Sequence, residues 1–295
     1  MSYPLLCIPN ISEGSKPDVV ASVRAAYEAS GAVVLDETSD ADHGRSVHTL
    51  TGSQSQLSQA IVSGWKAAAE GIDLRENRGV HPNVGVLDVA PFVYLNESDR
   101  GAACSAALTT AGQLGREGCP VFTYGLLAGG RTRAELRAGG CSGLASRVDS
   151  GAIRTDFGPN EIDPRLGAVL VSARTPLIAF NLRLAPSESL DQAKMTAAAI
   201  REGGSRGLAG VKALAFELRE QGFVQLSFNL ERPEEAGLGE LVAAIKETHK
   251  VVSGELIGLT LRRYIDAIPD DLDMPDFDPD QKSVEGSLRF NGIKT

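Results

Sequence analysis

Cysteine, histidine and aromatic residues are all scarce in this chain of 295 residues, and each scarcity narrows what it can be. The four cysteines, Cys7, Cys104, Cys119 and Cys141, form no CxxC pair and no Cys/His ligand spacing. Neither a metal site nor a disulfide scaffold is therefore expected, and the thiols read as reduced, in a cytoplasmic protein. No stretch approaches the ~18 apolar residues of a membrane helix. Met1–Pro9 has neither a basic start nor a long apolar core, so no secretion signal is expected. Lysine and arginine total 29 against 38 acids, a net charge of −9, with no basic run of the kind nucleic acid selects. Part of that acidity is local: Asp270, Asp271, Asp273, Asp276, Asp278 and Asp280 read as a solvated tail or closing strap. No GxSxG elbow and no phosphate-binding glycine motif is present.

What remains is a folded chain, 42% hydrophobic, long enough for two ordinary domains. Apolar spacing predicts strands over 5–8, 32–35, 47–51, 84–95 and 121–124, with helices over 18–29, 55–70 and 97–116. The second half predicts strands over 177–184, 211–218, 224–230 and 256–259. Its helices fall over 187–201, capped by Ser187, and 233–250. The order β-α-β-β-α-β is thus read twice. The fold class expected is α+β, two ferredoxin-like (βαββαβ) subdomains, residues 1–172 and 173–295, joined near 168–175. The natural place for a ligand is a cleft between them.

The polar residues at strand mouths are where chemistry is expected. His81 precedes the apolar run Val84–Val89, and Pro82 biases it toward an extended backbone. An imidazole with an unperturbed pKa of about 6.5 can give or take a proton near neutrality; a plain loop histidine is the competing reading. Asp88 sits inside that apolar run and must be paired, either to orient a reacting group or to tie down a loop. Arg45 offers a planar fork suited to a carboxylate, or a surface ion pair with Asp40 or Asp42 in the polar loop 36–46. His43 is a second polar contact, His48 a partly exposed strand residue and His249 a charge at a helix C-terminus. Asp156–Gly167 is rich in turns and reads as an interdomain linker, or as backbone lying close along a ligand.

Taken in order, several segments resemble the formiminotransferase family. They are Cys7-Ile8-Pro9-Asn10-Ile11-Ser12-Glu13-Gly14, Asp42-His43-Gly44-Arg45-Ser46-Val47, and His81-Pro82 with Gly85 and Leu87-Asp88-Val89-Ala90-Pro91-Phe92. Tyr124-Gly125, Asp156-Phe157-Gly158-Pro159, Ile178-Ala179-Phe180-Asn181, Val224–Leu230 and Glu255-Leu256-Ile257-Gly258-Leu259 follow. The resemblance implies a homodimer that moves a formimino group from N-formimino-L-glutamate to N5 of tetrahydrofolate, the co-substrate, without metal, membrane or nucleic acid. His81 matches the family's catalytic histidine. Gly158-Pro159-Asn160-Glu161-Ile162-Asp163-Pro164-Arg165-Leu166-Gly167 matches its folate segment. Asn10, Asp40, Arg45 and Asp88 fall at the substrates, orienting the ring, meeting the pterin edge or holding a carboxylate. The chain departs from the family pattern at Gly44, Val80, Asn83 and Leu126-Leu127. Two alternatives therefore stand beside the main reading: a folate- or metabolite-binding paralogue without turnover, and a transferase specific for formyl-glutamate. No cyclodeaminase region is expected after residue 295.

Overall fold

Pro9 interrupts the first apolar run, and the computed structural model, which describes residues 4–218 and 221–293, accordingly has two short pieces there. They are β1 (Leu6–Cys7) and β2 (Asn10–Ile11). Proline has no amide hydrogen to give to a ladder, yet the break stays bonded: Ile8 N donates to Pro91 O and His48 N to Pro9 O, both at 3.0 Å. Residues 1–3, 294 and 295, at the outer limits of the two expected domains, lie outside the described residues.

The chain parts into two compact units, 1–175 and 176–295. In the first, α1 (Pro17–Ala29) starts on a proline pre-set for the first turn. Just ahead of it, Gly14 N, Ser15 N and Lys16 N all donate to Glu13 Oε1. The hairpin β3 (Val33–Asp40) and β4 (Arg45–Thr51) follows, then α2 (Gln54–Gly71), opened by a reciprocal Ser53/Gln56 cap. After these come β5 (Leu87–Val93), α3 (Arg100–Arg116), β6 (Val121–Thr123), α4 (Arg133–Arg137), α5 (Gly140–Asp149) and β7 (Val169–Arg174). The seven strands form one sheet in the order β3-β4-β1/β2-β5-β7-β6. The β3, β4, β1/β2 and β5 ladders are antiparallel, whereas β7 runs parallel to both β5 and β6.

One core lies under α1, α2 and α3, built from Leu57, Ile61, Leu114 and Phe92 among others; a second, around Leu136, Leu144, Val148 and Phe122, lies under α4 and α5. β5 contributes to both, Phe92 to the first and Val89 to the second, which is why it reads as an unbroken apolar run.

The observed elements correct the expected ones at several points. The polar stretch 36–46 is a hairpin and not a loop, because β3 is an edge strand whose polar side chains need no burial. The strand expected over 84–95 begins only at Leu87, since Val84 and Val86 bond instead to residues of the 166–168 strap. The joint expected near 168–175 contains β7, inserted between β5 and β6. The short helices α4 and α5 were not foreseen.

The second unit comprises β8 (Ile178–Leu184), α6 (Leu190–Ile200), β9 (Val211–Leu218), β10 (Phe223–Leu230), α7 (Leu238–Lys246) and β11 (Val251–Ile257). Its sheet, β11-β8-β10-β9, is antiparallel throughout. Ser189, not Ser187, caps α6, accepting from Gln192 N. α7 starts only after Gly237, and β11 begins five residues earlier than expected because a bulge at Val251–Ser253 accommodates its irregular start. The closing elements α8 (Arg262–Ile265) and α9 (Val284–Phe290) flank the acidic segment. That segment is a strap: Leu272 is buried and Asp273 O accepts from Gly254 N at 2.8 Å.

Candidate active site

The β3–β4 hairpin fixes the first half of the site. Side chains alternate across a strand, so Arg45 and His48 of β4 leave on opposite faces. His48 is fully buried, edge-on to Tyr27 at 5.2 Å, rather than partly exposed as expected. Asp40 and Arg45 close the hairpin, and the turn between them carries His43, whose amide donates to Asp40 Oδ1 at 2.7 Å with its Nδ1 3.1 Å from the same oxygen. Burial would raise the Asp40 carboxyl, but the bonds from His43 outweigh it and hold it below the ordinary range.

Asn77 then clamps the loop bearing His81 onto this turn. Its Nδ2 donates to Ser12 O at 2.8 Å and Gly44 O at 3.1 Å, and its Oδ1 accepts from Gly79 N at 2.8 Å. Gly79 is pressed so close that a Cβ would stand 2.2 Å from His43 O. The clamp brings the His43 and His81 rings to 6.4 Å between centroids.

Asp88 of β5 is the hub. Fully buried, it accepts from Val84 N through Oδ1 at 2.9 Å, and from Arg45 Nη1 at 2.9 Å and Arg137 Nη2 of α4 through Oδ2. Arg45 also donates from Nη2 to Asn10 Oδ1 at 2.5 Å, and its Nη1 lies 3.1 Å from His81 Nδ1. That nitrogen is 2.8 Å from Pro82 O. A guanidinium only donates and a carbonyl only accepts, so Nδ1 cannot satisfy both. The carbonyl is the nearer partner, and Nδ1–H donating to it puts the ring's lone pair on Nε2.

The charges follow from this packing. Burial first, then the positive charges of Arg45 and Arg137, hold His81 well below the ordinary histidine range, so it is neutral at pH 7. Burial pushes the Arg45 guanidinium down to about 10, with Asp88 opposing and Arg137 adding to the push. Burial alone would raise Asp88, but Arg137 and Arg45 overcome it and keep the carboxyl ionised.

The 158–167 segment is no linker between units. Asp156 Oδ2 accepts from Thr123 N at 2.6 Å, Val121 N donates to Phe157 O at 3.0 Å, and Val86 N donates to Leu166 O at 2.9 Å. Gly167 bridges Gly85, where a Cβ would stand 2.0 Å from Val84 O. Between these anchors Gly158, Pro159, Asn160, Glu161, Asp163 and Pro164 are exposed, whereas Ile162 and Gly167 are buried and Arg165 and Leu166 half-buried. Arg165 donates inward to Ala69 O.

Of the expected residues, the structure joins Asn10, Arg45 and Asp88 in one hydrogen-bonded cluster, sets His81 Nδ1 3.1 Å from Arg45 Nη1, and brings Asp40 near it through His43. The strap bonds the cluster's framework at Leu166–Ala168, beside Val84–Val86. The ion pair of Arg45 with Asp40 or Asp42 does not form; Asp88 takes its place. Arg137 and Asn77 escaped the sequence reading. The one available signal for Asn77 was its position two residues before Gly79. No group of three or more metal-ligating side chains occurs among the described residues, and no described helix is long and apolar enough to cross a membrane.

The chain is similar to several known proteins. The chain is 33% identical over 293 residues to glutamate formimidoyltransferase of Streptococcus pyogenes serotype M1, covering 96% of this chain and 97% of that protein. It is 36% identical over 231 residues to glutamate formimidoyltransferase of Thermoplasma acidophilum, covering 76% and 75%. Against formimidoyltransferase-cyclodeaminase of Sus scrofa the identity is 32% over 284 residues, 90% of this chain, and the chain spans about half of that relative's length (52%). Residues 4–174 match the profile described as the formiminotransferase domain, N-terminal subdomain, and with these relatives the match shows that the chain belongs to the formiminotransferase family.

Proposed function

We propose that the chain is a glutamate formimidoyltransferase, moving the formimino group of N-formimino-L-glutamate to N5 of tetrahydrofolate with His81 as general acid and base. The observation that carries this reading is the His81 setting: an imidazole kept neutral by burial and then by two guanidiniums, its Nδ1 tied to Pro82 O and its lone pair on Nε2. Tetrahydrofolate, as co-substrate, supplies the attacking nitrogen. His81 Nε2 takes the proton released there and returns one to the departing glutamate nitrogen. Acid–base help of this kind is worth roughly a hundred- to ten-thousand-fold in rate. Arg45 and Asn10 hold the cluster in place, and Asp88 balances part of the positive charge beside the ring.

The folate segment is assigned to 158–167, whose backbone is pinned at both ends and exposed in the middle. The strand orders support two ferredoxin-like subdomains: β5-β1/β2-β4-β3 within the first sheet and β11-β8-β10-β9 in the second have the same connectivity. On this reading the halves are 1–172 and 173–295, and the protein is a cytoplasmic homodimer.

Purified protein, N-formimino-L-glutamate and tetrahydrofolate test the proposal directly. Turnover in the wild type, its loss in His81→Ala, and an unchanged affinity of that variant for a stable folate analogue are expected. Equal turnover in the variant would sink the mechanism, and no turnover in the wild type would sink the activity.

A further inference from the structure

One carboxylate, Asp88, faces two guanidiniums, and one of them keeps a buried donor without a partner. Arg45 directs Nη1 to Asp88 and Nη2 to Asn10. Arg137 directs Nη2 to Asp88, but its Nε is buried with no hydrogen-bond partner among the described residues. Such a donor is costly to leave unmet unless a ligand meets it.

Arg137 is held firmly although α4 is only five residues long. At the start of α4 Glu135 N donates to Thr132 Oγ1 at 3.1 Å, while Thr132 N donates back to Glu135 Oε2 at 2.6 Å. At its end Arg147 of α5 donates to Glu135 O and Leu136 O, both at 2.7 Å, and to Ala138 O at 3.2 Å. Leu136, next to Arg137, is fully buried. Arg45 and Arg137 share the one carboxylate of Asp88, so the three side chains carry an excess of positive charge and an unmet donor, a combination that suits an anion.

We propose that Arg137 binds a carboxylate of the amino-acid donor and so selects a dicarboxylic substrate, a role the sequence reading had left to Arg45. The inference rests on the donor being N-formimino-L-glutamate, as proposed above. Arg45 becomes a positioning residue for Asp88 and Asn10.

Glutarate, a dicarboxylate with nothing to transfer, separates the two claims. Its affinity for the whole chain is measured by calorimetry for the wild type, Arg137→Gln and Arg137→Lys, beside KM and kcat for both substrates. Losing a charge-assisted bond should weaken glutarate binding and raise the donor KM by about 10- to 100-fold in Arg137→Gln. Arg137→Lys, which keeps the charge beside Asp88, should fall in between, and the tetrahydrofolate KM should stay near wild type in both. A donor KM and glutarate affinity indifferent to Arg137, with only kcat reduced, would overturn the inference, as would a wild type that does not bind glutarate. Arg137-dependent glutarate binding without transfer would uphold it and refute the formimino reading. Transfer with a KM indifferent to Arg137 would do the reverse.

Discussion

His81 in the first unit and His249 in the second are both held by hydrogen bonds, yet their partners differ in kind. His249 uses both ring nitrogens within the fold: Nδ1 lies 2.6 Å from Glu188 Oε2 and Nε2 2.8 Å from Thr196 Oγ1. Acid, imidazole and hydroxyl in line have the outline of a hydrolytic triad. Here they work as a clasp, because Glu188 Oε1 also accepts from Lys250 N at 2.9 Å and so ties the entry to β11 to the start of α6. His81 has the Arg45 guanidinium 3.1 Å from Nδ1 and a backbone carbonyl, Pro82 O, 2.8 Å from the same nitrogen. Burial and then the nearby cations keep the His81 ring unprotonated and ready to accept, whereas the His249 ring is secured in place by a carboxylate and a hydroxyl.

Exchanging the two histidines for alanine tests that contrast most strongly. His81→Ala should cut transfer by about 10²- to 10⁴-fold while leaving the thermal midpoint nearly where it was. His249→Ala should do the opposite, lowering the midpoint while turnover per folded molecule stays near wild type. Next in size is the carboxylate of each cluster. Asp88→Ala strands two guanidiniums in a buried setting and should cost about 3–5 kcal/mol in denaturant unfolding, whereas Glu188→Gln, half-buried and keeping one acceptor, should cost about 1 kcal/mol. Comparable losses would mean that the Asp88 cluster is wetter than its packing indicates.

The pH dependence sharpens the same point. The His81 pKa is lowered in the folded state, so the unfolded chain takes up the proton first as pH falls. Its contribution to stability is accordingly present above about pH 6.5 and lost below it as pH approaches the folded value. The acid limb of kcat/KM should likewise fall below pH 6.5, and a limb at or above that value would contradict the cationic setting. The smallest effect expected is in Asn77→Ala, which removes the clamp between the two loops. We expect about 1–2 kcal/mol of destabilisation and a lower kcat with little change in KM, read from unfolding and steady-state kinetics.

Elements with a regular period were legible in the sequence. α2 shows Leu57, Ile61, Trp65 and Ala68 on one face, and β10 occupies nearly the span its alternation predicts. Polar residues set among apolar ones, such as Asp88 and Asn10, stood out for the same reason, and the ordered family segments singled out His81. β3 was read short because an edge strand can be polar along its length, and β7 was missed, its residues read as a joint, because a strand buried on both faces has no alternation to show. Arg137 sits in a helix of five residues, too short for any period to mark it, and nothing in 88 and 137 as positions announces their contact.

The place of β7 bears on how the chain is made. β5, which carries Asp88 and is buried at every position, lies between β1/β2 and β7, but β7 is synthesised about 80 residues later at typical rates of seconds per domain. Until residue 174 has emerged, β5 presents a long apolar edge with its backbone unpaired on that side, the kind of edge that invites pairing with another chain. A nascent chain halted before Val169 should therefore be the most aggregation-prone stage of synthesis, and the one most dependent on a chaperone.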